Sequence, residues 1–300
     1  MRWLVFCVTL CFGSGFCVPQ AQGKPAGKNK AEKLLIAGCG WDRIAVMDKQ
    51  TRQLEWVHCL NRGDDCNDVE LTRGNEILYA YTGGARLVTW EQKVVWDYKV
   101  GVGEELFTAT ELSRGHYLLG ICGNPARIVE LDGKGEVTDE FTFETGIDRV
   151  HHQFRQILKT KRNTYIIPLF GCGDVVEINR EGKILKRVKA GGNLFSVKLL
   201  RGGIWLVGCG DAHKWVEIDS RRGTVVHTVH SDSLPGISLL FVAEVCPYAN
   251  GHRLVANWNG HSGDKMQPRL LEIDERNRVV WQLGHTGEIG NISAVFPFRK

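Results

Sequence analysis

The stretch DVELTRGNEIL at residues 68–78 aligns without a gap with ATELSRGHYLL at residues 109–119. Each copy alternates apolar and polar residues, crosses a short polar turn containing Arg-Gly, and continues into a second apolar run. Alternation with a period of two is typical of β-strands, and a short glycine-containing turn between two such runs predicts a hairpin. The sequence therefore repeats one hairpin at a spacing of about 40 residues.

The repeat extends along the rest of the chain. Further copies begin at Phe154, Phe195 and Phe241, and a third apolar run that ends in a charged or polar turn follows each hairpin. A fourth run is clearest at residues 54–57, 94–97 and 279–282. Four strands in every unit of about 40 to 50 residues are typical of the blades of a β-propeller. We therefore predict an all-β fold, a six-bladed β-propeller with four-stranded blades.

The two ends of the repeat array support a closed ring. The first unit starts at Leu34 with the sequence of a second strand, whereas residues 292–296 form a lone strand-like run at the C-terminus. If the C-terminal strand pairs into the first blade, the ring closes and no sheet edge is left exposed. An open β-solenoid or two sandwiches would leave both of these runs unpaired.

Composition excludes several classes of protein. The chain has 300 residues, of which 43% are hydrophobic and 24% charged, so it is neither largely disordered nor a polytopic membrane protein. Its formal net charge of +4 is small and evenly spread, which does not indicate a nucleic-acid partner.

The first residues have the pattern of a secretory signal peptide. Arg2 precedes an apolar stretch at residues 3–18, and small residues follow at residues 21–23. The alternative, a transmembrane anchor, needs about 20 apolar residues, more than this stretch supplies. We therefore expect a signal peptide over residues 1–23, a flexible lead-in over 24–33 and the propeller over 34–300. The mature chain would have no membrane span and would be secreted or periplasmic.

One segment resembles the repeat of a known family. Residues 44–56, IAVMDKQTRQLEW, resemble the repeat of the quinoprotein-like (PQQ-like) β-propellers, whose blades carry an Asp, a Thr-Gly turn and a closing Trp. Arg52 stands where that family has the turn glycine. The resemblance implies the propeller architecture. Quinone-dependent dehydrogenases of that family have eight blades and commonly a vicinal cysteine pair, whereas this chain has six units and no adjacent cysteines, so we expect no cofactor.

The connections between strands separate into two faces. In a four-stranded meander, the connections between strands one and two and between strands three and four lie on one face, and the other connections lie opposite. The first set consists of short charged turns, and we name this side the turn face. The second set carries nearly all the chemically reactive side chains, and we name that side the loop face.

Cysteines recur on the loop face, flanked by glycine. Equivalent positions in adjacent blades lie about 10 Å apart, beyond the reach of a disulfide or of a shared zinc ion. We interpret these cysteines as small buried fillers and expect no metal site. Cys59 and Cys66 flank one loop, which a disulfide would close in an oxidising compartment, and the sequence leaves their pairing open.

His151, His152 and Arg149 are candidate catalytic residues. With Asp148 they resemble the Asp-x-x-His segment of arylsulfate sulfotransferase-like propellers, and the resemblance implies a histidine nucleophile for sulfuryl transfer. The strand expected from Phe154 predicts one imidazole facing the central funnel and the other facing away. The alternative interpretation is a pair of hydrogen-bonded loop histidines.

Six further residues of the loop face are candidate ligand-binding residues: Trp41, Asp42, His213, Trp258, His261 and Asp264. The tryptophans suit stacking on a sugar or an aromatic ring, although packing between blades explains them equally well. We hypothesise an exported module that binds a carbohydrate, a cell-envelope component or a protein partner at this face. The alternative is an enzyme that acts in the axial funnel, either a sulfuryl transferase or a lyase or hydrolase built from His213, His261 and Asp264.

Overall fold

The computed structural model describes residues 32–299, which are almost entirely β-structure. The short 3-10 helices among these residues span Val150–His152, Arg201–Gly203 and Ser231–Ser233. The strands in chain order are β1 (Glu32–Ala37), β2 (Arg43–Asp48), β3 (Leu54–Cys59), β4 (Cys66–Leu71), β5 (Ile77–Tyr81), β6 (Gly84–Val88), β7 (Val94–Lys99), β8 (Glu105–Ser113), β9 (His116–Cys122), β10 (Ala126–Leu131), β11 (Val137–Phe143), β12 (Leu158–Lys159), β13 (Tyr165–Leu169), β14 (Asp174–Ile178), β15 (Ile184–Lys189), β16 (Ser196–Leu200), β17 (Ile204–Gly208), β18 (Lys214–Asp219), β19 (Thr224–His230), β20 (Val242–Pro247), β21 (Arg253–Asn257), β22 (Leu270–Ile273), β23 (Val279–Leu283) and β24 (Ala294–Arg299).

The strands form six four-stranded antiparallel sheets around an axis, which confirms the predicted six-bladed β-propeller. Blade 1 has the order β24-β1-β2-β3, and blades 2 to 6 each take four consecutive strands from β4–β7 to β20–β23. The first strand of each blade is the innermost one.

The C-terminal strand closes the ring as predicted. Strand β24 pairs with β1 over six residue pairs from Glu32↔Arg299 to Ala37↔Ala294, with Ile36 opposite Val295. Strand β1 begins at Glu32, two residues before the predicted start at Leu34. The predicted signal peptide, and the part of the lead-in before Glu32, lie outside the described residues.

The hydrophobic core is divided among the spaces between adjacent blades. On β1, Leu34 and Ile36 pack against blade 6, whereas Leu35 and Ala37 pack against blade 2. Successive side chains on a strand point to opposite sides, so a blade buried on both faces needs apolar residues at consecutive positions. Within residues 32–299, one such cluster lies between each pair of neighbouring blades.

One local prediction differs from the structure, and one pairing that the sequence left open is decided by it. His151 and His152 precede Phe154 as expected but lie in the 3-10 helix Val150–His152, and Phe154, where the inner strand was predicted to begin, makes only an isolated bridge with Leu169. Helical backbone does not alternate side chains as a strand does, so the expected opposite orientations of the two imidazoles do not arise. The pairing left open for Cys59 and Cys66 is absent, because both thiols are free.

No helix within residues 32–299 has the length and apolar character needed to cross a membrane.

Candidate functional site

A cavity of about 370 Å³ opens on the loop face at the centre of the ring. Its wall includes residues from every blade or from the connection preceding it, so segments far apart in sequence meet here. Pockets that bind small organic molecules have volumes of about 300 to 1,000 Å³. We name this feature the axial cavity.

Aromatic rings make up much of the wall of the axial cavity. Phe241 is central, with ring centroids 5.6 Å from Phe195, 5.3 Å from Trp258 and 6.5 Å from Phe170. Phe107 lines the cavity as well. Phe107, Phe195 and Phe241 each lie at or just before the start of an inner strand, at its loop-face end. The recurring phenylalanines are visible in the sequence. Without the arrangement of the blades, however, the sequence does not show whether they line a cavity or belong to the hydrophobic core.

Arg155 also lines the axial cavity and is only 4% exposed. Its guanidinium carbon lies 4.0 Å from the ring centroid of Phe107 and 4.5 Å from that of Phe170, so two cation-π contacts hold it. Nη1 donates a hydrogen bond to the carbonyl oxygen of Phe154 at 3.1 Å. Burial lowers the pKa of Arg155 to about 10, which still leaves it charged at neutral pH. Sequence analysis missed this residue.

Both candidate histidines line the axial cavity, together with Arg149. Nδ1 of His151 donates to Oε2 of Glu105 at 2.7 Å, which leaves Nε2 of His151 as the free ring nitrogen. The His152 ring lies 6.1 Å from that of His151 and 5.7 Å from Phe170. Burial, and then the positive charge of Arg149, lower the pKa of His152, which favours its neutral form at neutral pH.

The loop after β21 contributes Trp258 and His261 to the wall. Nδ1 of His261 donates to Oδ1 of Asp211 at 3.0 Å, and the His261 ring packs edge-on against Trp258 with centroids 4.7 Å apart. Trp258 Nε1 donates to the carbonyl oxygen of Cys39 at 3.0 Å. The loop of blade 6 is thus tied to blades 1 and 5 across the rim.

The other four predicted ligand-binding residues do not line the axial cavity. Trp41 is 7% exposed and packs against Gly290, where a Cβ would lie 2.2 Å from a ring carbon. Trp41 and Asp42 line a separate peripheral cavity. His213 Nδ1 donates to the Leu240 carbonyl oxygen at 2.9 Å, and Asp264 accepts the backbone N–H of Met266 at 2.7 Å. The structure therefore does not bring His213, His261 and Asp264 together.

A largely buried polar layer lies on the innermost segments of the blades below the axial cavity. We name Asp68, Thr108, Gln156, Lys198 and Glu244 the axial layer. Gln156 Nε2 donates to Glu244 at 3.0 Å and to Asp68 at 3.4 Å, and Lys198 pairs with Glu244 at 2.6 Å. Thr108 donates its hydroxyl to Asp68 at 2.8 Å. Burial, and then the Glu244 carboxylate, raise the pKa of Asp68 to about 8.

The axial layer separates the linings of two cavities. Phe107 and Arg155 line the axial cavity, whereas the next residues in the chain, Thr108 and Gln156, line a second cavity toward the turn face. Within residues 32–299, His, Cys, Asp and Glu side chains form no group of three or more that could hold a metal ion.

Fold and site together define a six-bladed β-propeller with an aromatic axial cavity on its loop face. A model of the Mal s 1 allergenic protein-like family matches residues 38–278, and the chain therefore belongs to that family. The finer resemblance to the PQQ-like repeat stays a prediction. No curated protein matches the chain.

Solved structures that resemble the chain are also propellers. A crystal structure of a protein of unknown function from Bacteroides caccae is 40% identical with a TM-score of 0.86, and the match covers 90% of this chain and 100% of that one. Virginiamycin B lyase from Staphylococcus aureus, a catalytically inactive histidine-to-alanine variant with quinupristin, is 10% identical with a TM-score of 0.59, covering 85% and 86%. The WD40 propeller domain of Doa1 is 15% identical with a TM-score of 0.58, covering 74% and 71%. The last two show likeness of fold alone.

Proposed function

We propose that the protein is an exported ligand-binding propeller whose axial cavity takes a small organic molecule with an aromatic or apolar body. The observation that carries the proposal is the convergence of Phe107, Phe170, Phe195, Phe241 and Trp258 on one cavity of about 370 Å³. Aromatic side chains with a few polar groups among them are typical of small-molecule sites. The signal-peptide pattern of residues 1–23 is the observation that supports export.

A concave site favours a small molecule over a flat protein partner. The cavity wall presents phenyl rings that contact one another edge-on or at a tilt, as Phe241 does with Phe195 and Phe170. A carbohydrate needs many hydrogen-bonding groups around it, and several polar groups of this wall already bind one another, as His261 does with Asp211. Carbohydrates and cell-envelope components remain predicted ligands and belong in the screen.

Native mass spectrometry and a thermal-shift screen test the proposal. The mature chain would be examined for a co-purified molecule and then screened against aromatic acids, aromatic amides, glycans and aryl sulfates. We expect aromatic compounds to raise the melting temperature and to quench the intrinsic tryptophan fluorescence, to which Trp258 contributes. Stabilisation by glycans alone would contradict the aromatic ligand class.

A matched pair of variants locates the site. Phe241→Leu changes a residue of the cavity, and Phe143→Leu changes a buried phenylalanine packed between blades 3 and 4. The first should weaken ligand binding about tenfold, equivalent to about 1.4 kcal/mol, and the second should leave affinity unchanged. Equal loss in both variants would place the ligand elsewhere.

A second candidate function is catalysis at the same cavity, and His151 favours it. The carboxylate of Glu105 orients the ring through Nδ1 at 2.7 Å, which is the arrangement that prepares Nε2 as a base or nucleophile. Sulfuryl transfer through His151 or His152 is the form of this candidate with most support, because both rings line the cavity. A lyase or hydrolase built on His213 and Asp264 has less support, because neither residue lines the axial cavity.

Turnover assays decide between binding and catalysis. Aryl sulfates with phenol acceptors, and aryl esters, would be incubated with the wild type, His151→Ala and His152→Ala, with His213→Ala as the control outside the cavity. Catalysis predicts loss of turnover in His151→Ala and full activity in His213→Ala. Absence of turnover in all four proteins would leave binding as the function.

A further inference from the structure

The arginine within the aromatic wall lacks the partner that buried arginines normally have. Arg155 is 4% exposed, yet within residues 32–299 it forms no ion pair with a carboxylate. A buried charge is costly unless an opposite charge or hydrogen bonds satisfy it. Its only hydrogen bond to the described part of the chain runs from Nη1 to the Phe154 carbonyl oxygen.

The carboxylates nearest the cavity already have partners. Glu105 accepts from His151 at 2.7 Å, Asp211 accepts from His261 at 3.0 Å, and Asp65 accepts the backbone N–H of Gly40 at 3.0 Å. The wall therefore contains a cation that forms no ion pair with the acids of the described residues around it.

Two phenyl rings pack against the guanidinium and leave its N–H groups as the atoms available to a ligand. The guanidinium carbon lies 4.0 and 4.5 Å from the centroids of Phe107 and Phe170, so these rings occupy space that a stacking ligand would need. Nε and Nη2 have no partner among the described residues, and Arg155 lines the cavity. Arginine N–H groups arranged in this way bind two oxygens of one oxyanion in the plane of the guanidinium.

We infer that the ligand of the axial cavity carries an oxyanion, a carboxylate or a sulfate or phosphate ester, which Arg155 binds through its free N–H groups. This inference rests on the proposed function, because it identifies the chemical class of the ligand of that cavity. The aromatic or apolar body of the ligand then lies against Phe241 and Trp258, and its anionic group lies at Arg155, next to Phe107 and Phe170.

A second arginine of the same burial provides a control. Arg269 is also 4% exposed and forms no ion pair in residues 32–299, but its Nη1 donates to the Ile289 carbonyl oxygen at 2.8 Å and its Nη2 contacts His285. Arg269 lines the peripheral cavity with Trp41, not the axial one. A substitution there removes a buried guanidinium without touching the proposed site.

Matched naphthalene compounds test the inference by titration calorimetry. The probes are 2-naphthoate, 2-naphthyl sulfate, 2-naphthyl phosphate and the neutral 2-naphthamide. The wild type should bind at least one anion about tenfold or more tightly than the amide, because a hydrogen bond to a charged group contributes more than a neutral one. The three anions distinguish a planar carboxylate from a tetrahedral ester.

Arg155→Met should abolish the preference for the anion, Arg155→Lys should retain part of it, and Arg269→Met should leave it intact. Arg155→Lys keeps the positive charge and so keeps the test valid if Arg155→Met does not fold. Equal affinity for amide and anions in the wild type would overturn the inference while leaving the proposed function in place.

Inorganic sulfate and phosphate distinguish failure of the oxyanion inference from failure of the proposed function. If no naphthalene compound binds, thermal shifts with these ions are compared in the wild type and in Arg155→Lys at matched ionic strength. Stabilisation that depends on Arg155 would support the oxyanion site and contradict the aromatic ligand class. Absence of any such stabilisation would overturn both proposals.

Discussion

Arg155 in the axial cavity and Asp68 in the axial layer are both buried ionisable residues, but they differ in charge at neutral pH. Arg155 keeps its charge through two phenyl rings, a carbonyl oxygen and an opening to the axial cavity. Asp68 lies in the axial layer, where burial and Glu244 raise its pKa to about 8, so it holds a proton at neutral pH. Lys198 pairs with Glu244 at 2.6 Å, and Asp68 forms no ion pair of its own within residues 32–299.

We predict that Asp68 makes the protein less stable as pH rises. Its folded pKa of about 8 is above its usual value of 3.8, so between these pH values the folded state holds a proton that the unfolded state has released. Stability from this group is complete below about pH 4 and decreases until about pH 8, by an amount on the order of a few kcal/mol. Urea unfolding across this range should show a weaker decrease for Asp68→Asn than for the wild type.

Exposed Asp42 is the control for this measurement, because its side chain is 73% exposed. Asp42→Asn should follow the wild-type pH dependence. Parallel curves for Asp68→Asn and the wild type would mean that Asp68 is ionised in the folded protein.

At the scale of the element, the turn between the third and fourth strands follows one design. Its first residue is Asp48, Thr89, Asp132, Asn179, Asp219 or Asp274, and in each blade that side chain accepts a backbone N–H of the turn. Later in each turn one residue has a positive φ, at Arg52, Gln92, Gly135, Gly182, Gly223 and Asn277. Asp and Asn stabilise such turns through their side chains, and glycine takes a positive φ without strain.

The turns at residues 49–52 of blade 1 and 220–223 of blade 5 have the same length, but the first ends in Arg52 and the second in Gly223. The φ of Arg52 is 62°, whereas the matching residue of blade 5, Gly223, has a φ of 69°. A left-handed conformation costs a non-glycine residue about 1 to 2 kcal/mol. Glycine removes this strain, but part of the gain is lost because glycine gives the unfolded chain more conformational freedom. We predict that Arg52→Gly raises the free energy of unfolding by about 0.5 to 1 kcal/mol.

The neighbouring turn provides the control for this substitution. Arg222→Gly places a glycine directly before Gly223 at an exposed position without a positive φ, and it should lower stability. Chemical denaturation of both variants would show opposite signs. A decrease in both would mean that the Arg52 side chain contributes contacts that outweigh its backbone strain.

At the scale of the whole molecule, side chains of alternate inner segments bind the next blade. Asp68 accepts the N–H of Ala109 at 3.3 Å, Gln156 accepts that of Val197 at 3.2 Å, and Glu244 accepts that of Val295 at 2.8 Å. These bonds join blade 2 to 3, blade 4 to 5 and blade 6 to 1. The last one reaches β24, so both its strand pairing and this side chain hold the ring closed.

We predict that removing residues 294–300 abolishes cooperative unfolding of the ring. The truncation exposes the edge of β1 and leaves Glu244 without its partner in β24. A synthetic peptide of residues 291–300 added in trans should restore a cooperative melting transition, and a scrambled peptide of the same composition should not. Wild-type melting of the truncated chain would show that closure through β24 is dispensable.

The sequence by itself determined the six units, the four strands of each and the closure of the ring. These features depend on alternation along each strand and on turns a few residues long, which are local properties of the chain. The unpaired runs near Leu34 and Val295 extended this reasoning to the ends. The prediction failed just before the fourth blade, where His151 and His152 lie in a 3-10 helix and the inner strand begins at Leu158 instead of Phe154.

Only the tertiary structure decided which side chains meet at the axis. Trp41 and Trp258 have similar neighbours in the sequence, yet Trp41 packs against Gly290 and Trp258 lines the axial cavity. Nothing in the sequence distinguishes Arg155 from other arginines; its contacts with Phe107 and Phe170 and its place in the axial cavity appear only in the structure. Such a site combines residues from six blades, and its burial and electrostatics depend on distances between segments that are far apart along the chain.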